Sequence, residues 1–129
     1  MLKINKVHHI AIICSDYQKS KQFYTEILGL NIIQETYRKE RNSYKLDLCL
    51  NNLYIIELFS FPNPAKRPSK PEALGLRHLA FEVTSIDESV GVLKNNNISV
   101  EPVRVDELTN KKFTFFKDPD ELPIEIYEA

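Results

Sequence analysis

The stretch His9-Ile-Ala-Ile-Ile-Cys-Ser-Asp16 occurs a second time, 69 positions further along the chain, as His78-Leu-Ala-Phe-Glu-Val-Thr-Ser85. Each copy begins with histidine, has alanine two residues later, and alternates between the two faces of a strand. Each ends on a residue that commonly caps a helix, and a helical pattern follows. The chain is therefore predicted to contain one strand-and-helix module written twice.

The remaining elements follow the same order in both halves. The first helix is predicted over about Tyr17–Leu28, where Gly29 ends it, and the second over about Ile86–Asn95. Short apolar runs predict four strands in each half: Val7–Cys14, Ile32–Thr36, Tyr44–Leu50 and Tyr54–Phe59, then Leu76–Val83, Val100–Val105, Lys112–Phe116 and Ile124–Tyr127. Both halves thus read βαβββ, which predicts the α+β class.

A proline-rich segment, residues 61–72, joins the two modules. Its four prolines cannot sit inside a ladder or a helix and favour an extended connector. Module one covers about residues 4–60 and module two about residues 73–128. A module of about 60 residues buries little core alone. The two modules are therefore expected to form one domain, residues 1–129, by packing together or by pairing with another chain.

The composition, 43% hydrophobic and 27% charged over 129 residues, is typical of a globular domain with one core. The 17 basic and 18 acidic side chains form no run of like charge, which argues against a nucleic-acid partner. The sequence has no apolar stretch of membrane-helix length and opens on a strand pattern rather than a signal peptide, so a cytoplasmic location is expected. Cys14 and Cys49 are expected to be free, buried thiols.

Four residues at repeat-related positions predict a metal site: His9 and His78 near the strand starts, and Glu57 and Glu125 in the last strand of each half. The alanine two residues after each histidine leaves room on that face of the strand. Each glutamate is a lone carboxylate among apolar neighbours, and burying it is costly unless a metal, a cation or a proton compensates the charge. Two imidazoles and two carboxylates suit one divalent ion such as Zn, Ni, Co, Fe or Mn.

Each of these four residues also has a simpler interpretation. Either glutamate alone could end a solvated strand, and either histidine alone could be a core imidazole with one hydrogen bond. The matched separations of histidine and glutamate, 48 and 47 residues in the two halves, favour the metal site. His8 is a competing ligand candidate, but strand alternation turns it to the helix side, and Arg77 stands at its place in the second half.

Several motifs resemble those of the glyoxalase I, or vicinal oxygen chelate, superfamily. The opening stretch from His9 to Asp16, followed by Ser20-x-x-Phe23-Tyr24 and Leu28-Gly29-Leu30, is similar to the first signature of that superfamily. The stretch Asp118-Pro-Asp-Glu-Leu-Pro-Ile-Glu125 resembles its final strand motif, with Glu121 in place of glycine. The resemblance covers nearly the whole chain.

Within the superfamily, the chain most resembles small bacterial lactoylglutathione-lyase-like proteins, through Glu57-Leu-Phe-Ser-Phe-Pro62 and Gly75-Leu-Arg-His-Leu-Ala-Phe81. The resemblance implies two βαβββ modules that form a cupped mixed sheet around the metal. It also implies that the four ligand positions are those of His9, Glu57, His78 and Glu125.

The implied activity is that of a glyoxalase I-like lyase, in which the metal holds two adjacent substrate oxygens and stabilises an enediolate. Glu57 or Glu125 would move the proton as general base and acid. Glutathione-dependent relatives have Arg and Asn where this chain has Ile13 and Phe61, so a substrate other than the glutathione hemithioacetal is expected. Basic residues could meet the charge of an anionic substrate: Lys45, Arg67, Arg77, Arg104 and Lys112.

Other activities found in the superfamily are open alternatives. Epimerases of the superfamily have Gln at the position of Glu57, and extradiol dioxygenases usually need a second pair of modules. A thiol transferase would use fewer carboxylate ligands, and a non-catalytic small-molecule binding module would lose the metal. The resemblance also implies a homodimer with C2 symmetry, because pairing covers exposed strand edges.

Overall fold

The computed structural model describes every residue from Met1 to Ala129. The residues form two compact units, Met1–Ala65 and Lys66–Ala129. Each unit contains one α-helix and one four-stranded mixed sheet, in the chain order βαβββ. The predicted α+β class and the repeated module are therefore confirmed.

The first unit is built around the sheet β1-β4-β3-β2. Its elements are β1 (Ile10–Cys14), α1 (Tyr17–Gln22) with a π-helical turn (Phe23–Ile27), β2 (Asn31–Arg38), a 3-10 turn (Lys39–Arg41), β3 (Ser43–Leu50) and β4 (Leu53–Ser60). Strands β1 and β4 run parallel, and the other pairs are antiparallel. A tight turn joins β3 to β4 through Asn51 and Asn52, both at positive φ, a conformation that asparagine tolerates.

The helix of the first unit begins where the sequence predicts and ends differently. Asp16 caps it by accepting a hydrogen bond from a backbone N–H of the first turn at 3.1 Å. The sequence predicts a continuous helix to Leu28, whereas the Leu28 N–H donates to the Phe23 carbonyl, five residues back, at 3.0 Å. This wider turn brings consecutive side chains closer to one side of the helix, and Phe23 and Tyr24 are both buried.

One face of the first sheet is the apolar core of its unit. Alternate residues of β1, β3 and β4 are buried on this face: Ile12, Cys14, Leu46, Leu48, Ile56 and Leu58. On β1 the other face carries Ala11 and Ile13, both exposed. The alternation predicted for this strand is therefore confirmed, and the face that carries Ala11 is the one predicted to hold the site.

The second unit repeats the architecture with the sheet β5-β8-β7-β6. Its elements are β5 (Leu79–Val83), α2 (Ile86–Asn95), β6 (Arg104–Val105), β7 (Lys112–Lys117) and β8 (Pro123–Glu128). Helix α2 has the predicted bounds, is capped by the Ser85 hydroxyl, and buries Ile86 and Leu93. None of the helices has the length and apolar character needed to cross a membrane.

Three strands are shorter than the sequence predicts. Strands β1 and β5 begin three residues later than expected, so the alternating residues before them lie outside the ladders. Strand β6 has two residues instead of six, and Pro102, which has no N–H to donate, stands just before it. The Glu101 N–H nevertheless donates to the Phe115 carbonyl at 2.9 Å, so this segment stays attached to β7.

The predicted connector at residues 61–72 contains no helix or strand, as expected from its prolines. Neither cysteine forms a disulfide, as predicted. Cys14 is buried as predicted, whereas Cys49 is half-buried. Cys49 lies at the register shift between β3 and β4, where regular alternation is interrupted.

Candidate functional site

The first predicted pair, His9 and Glu57, comes together at one end of the first sheet. Glu57 lies within β4, with its Cα beside those of Ala11 on β1 and Asp47 on β3. The small Ala11 side chain leaves space on this face, and His9 immediately precedes β1. His9 Nε2 lies 3.6 Å from Glu57 Oε2, and the two side chains are 34% and 16% exposed. We call this the first His–Glu pair.

The second predicted pair, His78 and Glu125, repeats this arrangement in the second unit. Glu125 lies in β8 beside Ala80 of β5 and Phe115 of β7, and His78 immediately precedes β5. His78 Nε2 lies 3.0 Å from Glu125 Oε2, and the two side chains are 30% and 16% exposed. The other ring nitrogen of His78, Nδ1, is buried and has no hydrogen-bond partner. We call this the second His–Glu pair.

The structure thus brings each predicted histidine to the glutamate of its own unit. It contains no group of three or more His, Cys, Asp and Glu side chains arranged to hold a metal ion. The assignment of both pairs to one ion therefore stays a prediction.

Three polar residues surround Glu57, and the sequence analysis missed two of them, Asp47 and Tyr54. Lys45 Nζ lies 3.6 Å from both Asp47 Oδ1 and Glu57 Oε2. The Tyr54 hydroxyl makes a short hydrogen bond to Asp47 Oδ1 and another to Glu57 Oε2 at 3.0 Å. Asp47 is buried. One signal was present in the sequence, because Asp47, like Glu57, is a carboxylate between apolar strand residues.

Tyr54 acts as a hydrogen-bond donor in this cluster. Burial raises the pKa of its hydroxyl well above the usual value for tyrosine, and the hydrogen bonds to Asp47 and then Glu57 raise it further. The hydroxyl therefore keeps its proton at neutral pH. The single hydroxyl proton is shared between the two carboxylates, and the shorter of the two hydrogen bonds is the one to Asp47.

Aromatic side chains take the corresponding places in the second unit. Phe115 stands opposite Glu125 as Asp47 stands opposite Glu57, and its ring meets the His78 ring edge-on at 5.1 Å. The Arg104 guanidinium lies over the rings of Phe113 and Phe115, at 5.1 and 5.5 Å from their centroids. The two His–Glu pairs therefore have different surroundings, one charged and one aromatic.

His8 lies close to the first His–Glu pair. Its Nδ1 is 2.8 Å from Nδ1 of His9, and both rings lie 5.3 Å from the Tyr54 ring. Strand alternation predicted His8 on the helix side instead. That prediction is wrong because both histidines precede the β1 ladder, where alternation no longer fixes side-chain direction.

The basic residues predicted to meet an anionic substrate are scattered. Lys45 lies at the first His–Glu pair, and Arg104 lies over the aromatic rings beside the second. Arg67 donates to the carbonyls of Leu76 and Arg77, while Arg77 and Lys112 pair with Glu72 and Asp87. The sequence analysis also missed Arg38, whose guanidinium lies 4.6 Å from the Phe59 ring centroid and 5.5 Å from that of Phe61.

The donors of both pairs fit a divalent ion. Each pair offers an imidazole nitrogen beside a carboxylate oxygen, and Zn, Ni, Co, Fe and Mn accept such mixed ligands. Glu125 is largely buried, and its ion pair is with a histidine rather than with a lysine or arginine. The unpartnered Nδ1 of His78 leaves the hydrogen bonding of that ring incomplete in the protein alone.

Two bacterial proteins and one solved structure align with almost the whole chain. The uncharacterized protein YwkD of Bacillus subtilis (strain 168) is 62% identical, over 97% of this chain and 98% of its own. The uncharacterized protein YaeR of Escherichia coli (strain K12) is 58% identical, over 99% of both chains. The crystal structure of a glyoxalase family protein from Enterococcus faecalis matches with a TM-score of 0.88 and 50% identity, over 95% of this chain and 97% of that one.

More distant matches have functional names. A protein of Arabidopsis thaliana called Glyoxylase I 4 is 28% identical, over 97% of this chain and 71% of its own. A mutant of the fosfomycin resistance protein FosX from Listeria monocytogenes, solved in complex with Mn(II) and a dihydroxypropylphosphonic acid, matches with a TM-score of 0.78. It is 20% identical over 98% of this chain and 94% of that one, which shows a shared fold.

The chain also matches a family model. The model describes the glyoxalase/bleomycin resistance protein/dioxygenase superfamily and covers residues 6–126, which include both His–Glu pairs. With so complete a match, the chain belongs to the glyoxalase/bleomycin resistance protein/dioxygenase superfamily.

Proposed function

We propose that the protein is a cytoplasmic, metal-dependent lyase of the glyoxalase I type, and that both His–Glu pairs bind one divalent ion. The observation that carries this proposal is the recurrence of the same pair in both units. In each case the glutamate is largely buried, stands beside an alanine in the parallel ladder, and faces a histidine that immediately precedes the first strand. A single pair of this kind could be an ordinary polar contact, but its repetition supports a shared ligand set.

The chemistry of the donors supports the same activity. When bound, the ion would supply a Lewis acid that stabilises negative charge on two neighbouring substrate oxygens. Glu57 or Glu125 would accept a proton from one substrate carbon and return it to the adjacent carbon. For a hemithioacetal of a 2-oxoaldehyde, this transfer is an isomerisation to a thioester.

Two relatives support the metal and the reaction class. The FosX structure contains Mn(II), and the plant relative has the name of a glyoxalase. By this analogy and by the nitrogen and oxygen donors of the two pairs, we propose Zn, Ni, Co, Fe or Mn as the ion.

We propose that the substrate is not the glutathione hemithioacetal. Ile13 is 55% exposed on the face of Ala11, and the Phe61 ring stacks on Phe59. Neither side chain can pair with a glutamyl carboxylate. A charge-assisted hydrogen bond is worth roughly 1.5 to 3 kcal/mol, so each missing anchor weakens binding by roughly ten- to a hundredfold. Lys45 and Arg104, which lie beside the two His–Glu pairs, are the basic residues best placed for an anionic substrate.

The test of the metal site compares matched variants of the full chain. Protein loaded with each candidate metal is desalted, and bound metal per chain is measured by mass spectrometry. We expect four substitutions each to lower metal occupancy, because each removes either an imidazole ligand or the negative charge of a carboxylate ligand: His9→Ala, His78→Ala, Glu57→Gln and Glu125→Gln. His8→Ala keeps all four proposed ligands and is expected to retain full occupancy. Its metal affinity is measured as well, because Nδ1 of His8 lies 2.8 Å from Nδ1 of His9, and losing that contact weakens binding without removing a ligand. Full metal content in His78→Ala would contradict the four-ligand proposal.

The test of the reaction uses the metal-loaded wild type with hemithioacetals formed from methylglyoxal and a panel of thiols. We expect turnover of the glutathione adduct to be weak or absent. A kcat/KM above about 10⁵ M⁻¹s⁻¹ for that adduct lies in the ordinary enzyme range. Such a value would show that Ile13 and Phe61 do not prevent the use of glutathione. Metal binding without turnover of any adduct would instead favour a different oxygen-chelating substrate or a non-catalytic binding module.

A further inference from the structure

We propose that Tyr54 and Asp47 are positioning residues that hold the Glu57 carboxylate towards His9 before the metal binds. This inference rests on the proposed function, because it assigns the two residues a role at the metal site. The hydroxyl of Tyr54 connects the buried Asp47 to Glu57, and all three side chains lie on the face of the sheet that carries Ala11.

The backbone explains how Tyr54 reaches this face. Tyr54 and Glu57 are three residues apart on β4, so regular alternation would turn them to opposite sides. The register between β3 and β4 shifts, because Leu48 pairs with Ile56 whereas Cys49 pairs with Tyr54. The extra β4 residue forms a β-bulge, which reverses the alternation and turns Tyr54 towards Glu57.

The second unit shows that this feature is not part of the repeated fold. Strands β7 and β8 pair without a register shift from Phe113–Tyr127 to Lys117–Pro123. Phe115, which has no polar group, stands opposite Glu125. The bulge, the tyrosine and the acid are therefore additions to the first unit, all concentrated around its predicted ligand.

The charges around Glu57 explain why both Tyr54 and Asp47 are needed to position it. Lys45 lies 3.6 Å from both carboxylates and would draw Glu57 out of position if it were the sole partner. Asp47 gives Lys45 a second carboxylate and gives the Tyr54 hydroxyl a strong acceptor. Tyr54 then contacts the same oxygen of Glu57, Oε2, that faces His9 Nε2. Partners of this kind orient ligands, and their loss typically weakens metal binding by about 10- to 100-fold.

The test compares Tyr54→Phe with Tyr37→Phe in the full chain. Both changes remove one hydroxyl from the first unit, but the hydroxyl of Tyr37 donates to Asn42 in an exposed loop. Metal affinity is measured by competition with a chromophoric chelator, and ligand geometry is followed through the visible absorption spectrum of the Co(II) form. We expect Tyr54→Phe to weaken binding by about 10- to 100-fold and to change the Co(II) spectrum. Tyr37→Phe is expected to match the wild type in both.

Two substitutions at Asp47 provide a second test of the positioning role, which can be used if Tyr54→Phe does not fold. Asp47→Asn keeps an oxygen that can accept from Tyr54, whereas Asp47→Ala removes it. We expect affinity to fall in the order wild type, Asp47→Asn, Asp47→Ala.

The outcomes separate this inference from the proposed function. If the wild type binds no metal, both are overturned. If the wild type binds metal and either Tyr54→Phe or Asp47→Ala leaves affinity and the Co(II) spectrum unchanged, the positioning role alone is overturned.

Discussion

Asp118 closes the loop between β7 and β8, and its substitution should destabilise the second unit. Its carboxylate accepts hydrogen bonds from the N–H groups of Asp120 and Leu122, both at 2.9 Å. The side chain is buried, at 6% exposure. A hydrogen bond to a charged group is worth roughly 1.5 to 3 kcal/mol, and water can replace part of that in a loop at the surface. We therefore expect Asp118→Ala to cost about 2 to 3 kcal/mol.

The assay is urea denaturation of the metal-free protein, followed by far-ultraviolet circular dichroism. Asp118→Asn is the matched variant, because its side-chain oxygen can still accept both N–H groups, and we expect it to lose about 1 kcal/mol or less. The reasoning is refuted if Asp118→Ala stays within about 0.5 kcal/mol of the wild type, or if both variants lose the same stability. Because Glu125 is the third residue of β8, we also expect Asp118→Ala to weaken metal binding.

Three further predictions concern backbone strain at Glu121, the pH dependence of stability and the oligomeric state. Glu121 has a φ angle of 68°, a conformation in which an L-residue is strained by roughly 1 to 2 kcal/mol. Glu121→Gly should therefore raise the melting temperature by about 2 to 4 °C. Glu107→Gly, in a turn without positive φ, should lower it, and equal losses in the two variants would exclude strain at Glu121. The hydrogen bonds from Lys21 and then Tyr17 lower the pKa of Glu35, so Glu35 stabilises the fold above its unfolded pKa and loses that effect as pH falls. The stability difference between the wild type and Glu35→Gln should therefore shrink from pH 7 to below about pH 4, and a constant difference would contradict this. Light scattering at micromolar concentration should show a homodimer, and a monomer would refute the predicted assembly.

The parts of the fold that depend on local pattern could be predicted from the sequence. The repeat of His9–Asp16 and the residues that cap both helices are visible as short motifs, and α2 has the predicted bounds. Both His–Glu pairs could be predicted because the separation between histidine and glutamate along the sequence is nearly the same in the two halves.

The features that the sequence analysis missed depend on strand pairing rather than on local pattern. Tyr54 reaches Glu57 through a shift in register between β3 and β4, and no local pattern marks where two strands slip by a residue. The direction of His8 was predicted wrongly because the ladder begins one residue after His9, at a point set by the partner strand β4.

Because each ladder lies within one unit, the connector at residues 61–72 is a suitable place to cut the chain or to insert a tag. Every strand pairs within its own unit, so no backbone ladder crosses residues 61–72. A protease cut or an inserted peptide tag in this segment would therefore break no interstrand hydrogen bond. Amide hydrogen exchange in both sheets should be as slow in a nicked chain as in the intact one, and the two fragments could then be labelled separately for spectroscopy.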